Sequence, residues 1–125
     1  MIDLNKYPFI INDIIYDIES YPNCFTLAYV YADGSKEGVF EISDRKVELQ
    51  ELLSFFRMCK KENKRLVGFN NLGFDSNLVH WIIGRAKKAK QEGKKLKLSS
   101  SAIYKYAMKV IVSIVTGKQI GRAHV

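Results

Sequence analysis

Beyond Glu92 this chain of 125 residues contains no acidic residue, and beyond Asp75 no aspartate. Any chemistry that needs carboxylates must draw them from the earlier part of the chain. The two cysteines, Cys24 and Cys59, have no Cys-x-x-Cys or other metal-ligand spacing. They read as buried or half-buried free thiols in a reducing compartment. No basic amino-terminal region precedes a long apolar run, so no signal peptide is evident. The longest apolar stretch near the end, residues 110–115, is far too short to span a bilayer. A Gly-rich phosphate loop, a Ser/His/Asp arrangement, a zinc constellation, internal repeats and low-complexity linkers are all missing. The length allows one domain with a modest core.

What is present is a divided charge. The net charge is +7, yet residues 1–84 hold 9 Lys and Arg against 12 Asp and Glu, while residues 85–125 hold 11 against 1. The basic part centres on Arg85, Lys87, Lys88, Lys90, Lys94, Lys95 and Lys97. Such a run is commonly a solvated helix face and loop, and the alternative is a patch that contacts phosphates.

The acidic part holds the most informative residues. Asp17 and Glu19 lie in an apolar run, Ile14-Ile-Tyr-Asp-Ile-Glu19. On a strand, residues i and i+2 share a face, so both carboxylates point the same way and repel unless a cation neutralises them. Carboxylate oxygens suit Mg²⁺ and Mn²⁺. A third acid, Asp75, ends Val67-Gly-Phe-Asn-Asn-Leu-Gly-Phe-Asp75.

Patterning predicts where these acids sit. Residues 12–19 read as a buried strand, followed by a Pro22-Asn23 turn and a second strand over 24–32. Asp33-Gly34 signals a hairpin to a third, antiparallel strand over 37–43. Ser43 or Asp44 can cap a helix over 45–62, with Val47, Leu49, Leu52, Leu53, Phe56 and Cys59 on its apolar face. A short fourth strand over 65–69, parallel to the first, leads through a loop to a helix starting near Phe74 or Asp75. Leu78, Val79, Ile82 and Ile83 form its apolar stripe. A further helix is expected over 99–115.

The two acidic segments resemble the first two motifs of the proofreading 3′→5′ exonuclease domain of DNA polymerases, a four-acid branch of the ribonuclease H-like superfamily. The family's first motif is Asp-x-Glu after an apolar strand, matched by Asp17-Ile18-Glu19. Its second is Asn, two or three residues, an aromatic residue, then Asp. Asn70 or Asn71 with Phe74-Asp75 matches it. The resemblance covers residues 10–85, and phage replicative polymerases are nearest in flavour. It implies an α/β ribonuclease H-like fold, a mixed sheet of three antiparallel strands plus a parallel one with flanking helices.

The same resemblance implies two Mg²⁺ or Mn²⁺ ions per complete site, with Asp17 bridging both, Glu19 on one near the attacking water, and Asp75 holding the second. Substrate contacts would come from Asn70, Asn71, Phe74 and Tyr21. Partners would be a single-stranded DNA 3′ end and a polymerase domain, with no membrane, in the cytoplasm (of the host, for a phage protein). The bland readings are solvated acids, an Asp75 helix cap, loop asparagines and a core Phe74. Phe25 also follows the first motif and is weighed as packing against stacking. His80 and Trp81 read as core or surface residues rather than ligands.

The family needs a fourth acid in a third motif, and residues 93–125 have none. Residues 1–119 are therefore expected to be a partial exonuclease domain, inactive or nearly so by itself. Residues 120–125, Ile-Gly-Arg-Ala-His-Val, match one reading frame of a common sequencing adapter, with a stop immediately after the Val codon. They are expected to be an artefactual tail, and His124 no ligand. Deleting 120–125 should change stability by less than about 0.5 kcal/mol in a thermal melt. A truncated domain should also leave Ile111 and Val115 exposed on the last helix.

Overall fold

The computed structural model describes residues 12–68 and 73–117. They form β1 (Asp13–Tyr21), β2 (Cys24–Tyr31), β3 (Glu37–Ser43), α1 (Leu49–Lys61), β4 (Arg65–Gly68), α2 (Phe74–Gln91) and α3 (Ser100–Thr116). The sheet order is β3-β2-β1-β4, with β1–β2 and β2–β3 antiparallel and β1–β4 parallel. This is an α/β fold with the expected mixed sheet. The expected suspect tail, 120–125, and Asn70 and Asn71 lie outside the described residues.

The strands alternate as their sequence requires. Ile14, Tyr16 and Ile18 of β1 are buried on one face, with Phe25 and Leu27 of β2 and Ile42 of β3. Leu49, Leu52, Leu53, Phe55, Phe56 and Cys59 of α1, with Leu78, Val79 and Ile82 of α2 and Ile103 and Ala107 of α3, complete the same core. The opposite face carries Ile15, Asp17 and Glu19, which pair across with Val30, Ala28 and Thr26. Val39, opposite Ala28, is 58% exposed there. No described helix is long and apolar enough to cross a membrane.

One boundary differs from expectation. The first helix starts at Leu49 rather than 45, and Ser43 does not cap it. The Ser43 hydroxyl instead donates to Glu41 Oε2 at 2.6 Å, and its N–H donates to the Lys46 carbonyl at 2.7 Å. Arg45 forks onto the Glu41 carboxylate at 2.8 Å. The chain is thus held in a tight turn, and Val47 bridges back to Ile42. Val47 is 67% exposed, so it leaves the apolar face assigned to it. Phe55 takes a core place that the helical stripe did not single out, packing 4.6 Å from the Tyr29 ring. Gly38 makes room for that ring, because a Cβ there would lie 2.8 Å from the Tyr29 hydroxyl.

The β1–β4 pair is pinned at its start. Arg65 donates to both oxygens of the buried Asp13 carboxylate, at 2.7 and 3.1 Å. Arg65→Ala is expected to cost about 1–3 kcal/mol, the usual penalty for stranding a buried acceptor. An unchanged urea midpoint would show that Asp13 is satisfied without it.

α3 runs from the Ser99 cap, whose side chain accepts from Ala102 N at 3.1 Å. As expected, its far end leaves apolar residues uncovered: Met108, Ile111, Val112 and Val115 share one stripe, and Val115 is 78% exposed.

Candidate metal-binding carboxylate site

β4 is described over Arg65–Gly68 and pairs with β1 as far as Gly68 opposite Tyr16. α2 begins at Phe74, with Gly73 as its cap residue in the left-handed conformation, φ 77°. Asp75 is the second residue of the helix and not its cap. It meets β1 at Ile18, whose backbone N–H donates to its carboxylate.

Asp75 is 2% exposed, and its Oδ2 atom is buried with no hydrogen-bond partner among the described residues. Burial pushes its carboxyl up from 3.8 to about 6; the nearby Asp17 charge adds to the rise and the Ile18 hydrogen bond opposes it. Tyr16, alongside, is driven to about 12, by burial first and then by the Asp75 charge. Two carboxylates distant in sequence are thus within electrostatic reach of each other.

The placement of the third acid is different. Glu19 is exposed on the same face as Asp17, two residues along β1 and opposite Thr26. Among the described residues no group of three or more His, Cys, Asp or Glu side chains gathers as a metal site. The pair itself fits a hard divalent cation. Both donors are carboxylates, and one has a buried oxygen that no donor among the described residues satisfies. Such an oxygen costs about 1–3 kcal/mol while it lacks a partner, and more when charged.

No family model, curated protein or solved structure matches this chain. The case for the site rests on its own residues.

The remaining candidates divide. Tyr21 ends β1 and is 55% exposed, free to meet a ligand. Phe74 is half-buried against the core, and Phe25 is fully buried, so both serve packing. His80 is exposed on α2, and Trp81 stacks on Tyr106 with ring centroids 4.5 Å apart. Cys59 is buried and its thiol is raised to about 11, mainly by burial, so it is a poor nucleophile. Cys24 is half-buried, as its type suggested.

Two participants escaped the sequence reading, the Ile18 N–H and Tyr16. Both lie within or next to the first motif, but a buried partner for them could not be read from the local sequence. A shallow concavity of about 440 Å³ on the uncovered sheet face, lined partly by Ile15, Ala28, Val30 and Val39, reaches Asp17. It offers an apolar floor beside the carboxylate.

Proposed function

We propose that the chain carries the fold and the first two acidic motifs of a ribonuclease H-like 3′→5′ exonuclease domain, the proofreading part of a replicative DNA polymerase, acting on single-stranded 3′ ends. The observation that carries this reading is the burial of Asp75 beside β1, where its carboxylate takes the Ile18 N–H and feels the Asp17 charge, with Oδ2 buried and unpartnered among the described residues. The strand order and the match of Asp17-Ile18-Glu19 and Phe74-Asp75 to the family motifs support it.

Each residue has a definite task in that reading. Asp17 and Asp75 would hold a divalent cation, and Glu19 would join from the same face of β1. The Ile18 N–H fixes the Asp75 carboxylate, so its second oxygen is presented without a rotameric search. A bound divalent cation supplies positive charge against the scissile phosphate and acidifies the attacking water. Tyr21, exposed at the strand end, offers a ring on which an unpaired base can stack. Burial around Asp75 keeps water from competing for its carboxylate. Holding three carboxylates without a fourth would make the chain itself a weak catalyst, closer to a binder than an enzyme.

The test is binding rather than turnover. Mn²⁺ should tighten the chain's hold on an oligonucleotide with a free 3′-hydroxyl, relative to one with a 3′-phosphate, and Asp17→Asn should abolish that preference. Cleavage of a 5′-labelled strand should be negligible in the same conditions. Equal Mn²⁺ effects in the wild type and Asp17→Asn would overturn the reading. Vigorous Asp17-dependent shortening would instead show that a further acid ligand completes the site.

A further inference from the structure

We propose that the carboxyl-terminal half of α2 and the loop after it form a sequence-independent docking ridge for a nucleic-acid backbone, separate from the carboxylate pair. Arg85, Lys87, Lys88 and Lys90 on α2 and Lys94, Lys95 and Lys97 in the loop are all exposed. None forms an ion pair among the described residues, where the salt bridges involve only Arg45, Lys46 and Arg65. Glu92 is the one acid in the run.

Helix energetics do not account for this concentration. Cations in a last helical turn gain about 0.3–1 kcal/mol from the macrodipole, which covers Lys88 and Lys90. Arg85 gains a similar amount from the Trp81 ring, while the loop lysines gain nothing comparable, and all repel one another within a Debye length of about 8–10 Å. An extended polyanion relieves that repulsion and releases its own counterions.

The ridge also has an aromatic flank. Trp81, Arg85 and Lys88 share one side of α2 by their i, i+4, i+7 spacing. The Arg85 guanidinium lies 5.9 Å from the Trp81 ring, and Trp81 stacks on Tyr106 at 7°. The stack fixes the start of the ridge against α3. The apolar side of α2, Leu78, Val79 and Ile82, is buried in the core. The ridge therefore has no apolar face to sink into a lipid surface, and a nucleic acid is the polyanion it fits.

Position gives the ridge its use. Arg85 lies about 15 Å and Lys90 about 22 Å along the helix from Asp75, at 1.5 Å per residue. A strand held there is gripped well away from the end that reaches the carboxylates. The proposal does not depend on those carboxylates, and it would stand if they bound no metal.

The experiment is fluorescence anisotropy of labelled dT20 with the full chain in EDTA, over a range of NaCl. Binding should weaken with salt, with a log–log slope of about −3 to −5, at about 0.7 per phosphate contact on single strands. The triple variant Lys87→Gln/Lys88→Gln/Lys90→Gln should bind about 10-fold more weakly and lose about 2 from that slope. Lys94→Gln/Lys95→Gln/Lys97→Gln should behave similarly. These side chains are exposed, and matched thermal melts would confirm that both variants fold. Unchanged affinity and slope in both triple variants would overturn the proposal. So would capture by phosphatidylserine vesicles with no binding of dT20.

Discussion

Asp75→Asn is expected to stabilise the folded chain at pH 8, by up to about 3 kcal/mol, while damaging the site it belongs to. The magnitude follows from a carboxyl raised from 3.8 to about 6 at about 1.4 kcal/mol per unit. The sign is set by the raised value. Below pH 3.8 the carboxyl is protonated in both folded and unfolded chains, and the full stability is present. Between there and about pH 6 the unfolded chain releases the proton first, and stability drains away. Above about pH 6 the penalty is complete. Asn accepts the Ile18 N–H as Asp does but carries no charge, so it escapes the penalty. The difference between variant and wild type in urea unfolding should thus be near zero at pH 3 and grow to its plateau above pH 7. A variant no more stable than the wild type at pH 8 would show that Asp75 is solvated. A cost in stability at a buried charged group is the kind of trade that functional sites make.

The second large effect is in the core. Phe25→Ala should cost about 3–5 kcal/mol, the range for emptying an aromatic site. Against a total stability of about 5–15 kcal/mol for a domain of this size, that leaves little. Phe25 is fully buried in β2 with Leu27 and Ile14. Tyr21 gives the contrast. It is exposed at the end of β1, so Tyr21→Ala should alter stability by less than about 0.5 kcal/mol. It should weaken binding of single-stranded DNA by about 1–3 kcal/mol, the value of one stacked base. Calorimetric melts and anisotropy on the two variants separate the roles. Retained stability in Phe25→Ala, with lost binding, would reverse them.

These contrasts show what the sequence could and could not tell. Alternation in β1 put Asp17 and Glu19 on one face, and the Asp33-Gly34 turn set the β2–β3 hairpin, because strand periodicity and turn chemistry are local. Ser43 was misread as a cap for the opposite reason. Its hydroxyl had a competing acceptor in Glu41, and that acceptor also receives Arg45. Val47 looked like a helical residue by spacing but sits in a bridge to Ile42, a pairing that only the tertiary turn creates.

The site was legible to the same degree. Asp17 and Asp75 stood out as types and motifs. Their electrostatic coupling required the start of α2 to pack against β1 at Ile18, which no single segment encodes. Asp17 and Glu19 lie on a strand and Asp75 at a helix start, as expected, whereas the placement of Glu19 relative to the pair follows from the register of β1. The asymmetry of charge was visible at once, but only the fold separates it into an acidic edge and a basic ridge along one helix.

The central claim, that Asp17 and Asp75 form a divalent-cation site, is tested most directly by titrating the chain with Mn²⁺ and following free Mn²⁺ by electron paramagnetic resonance. Wild type should bind Mn²⁺ at pH 7.5, and less well below about pH 6 as Asp75 takes up its proton. At Mn²⁺ about ten times the dissociation constant, the bound ion should stabilise the fold by about 1.4 kcal/mol. Asp17→Asn and Asp75→Asn should each abolish both the binding and the stabilisation. Equal Mn²⁺ binding by the wild type and both variants would contradict the account.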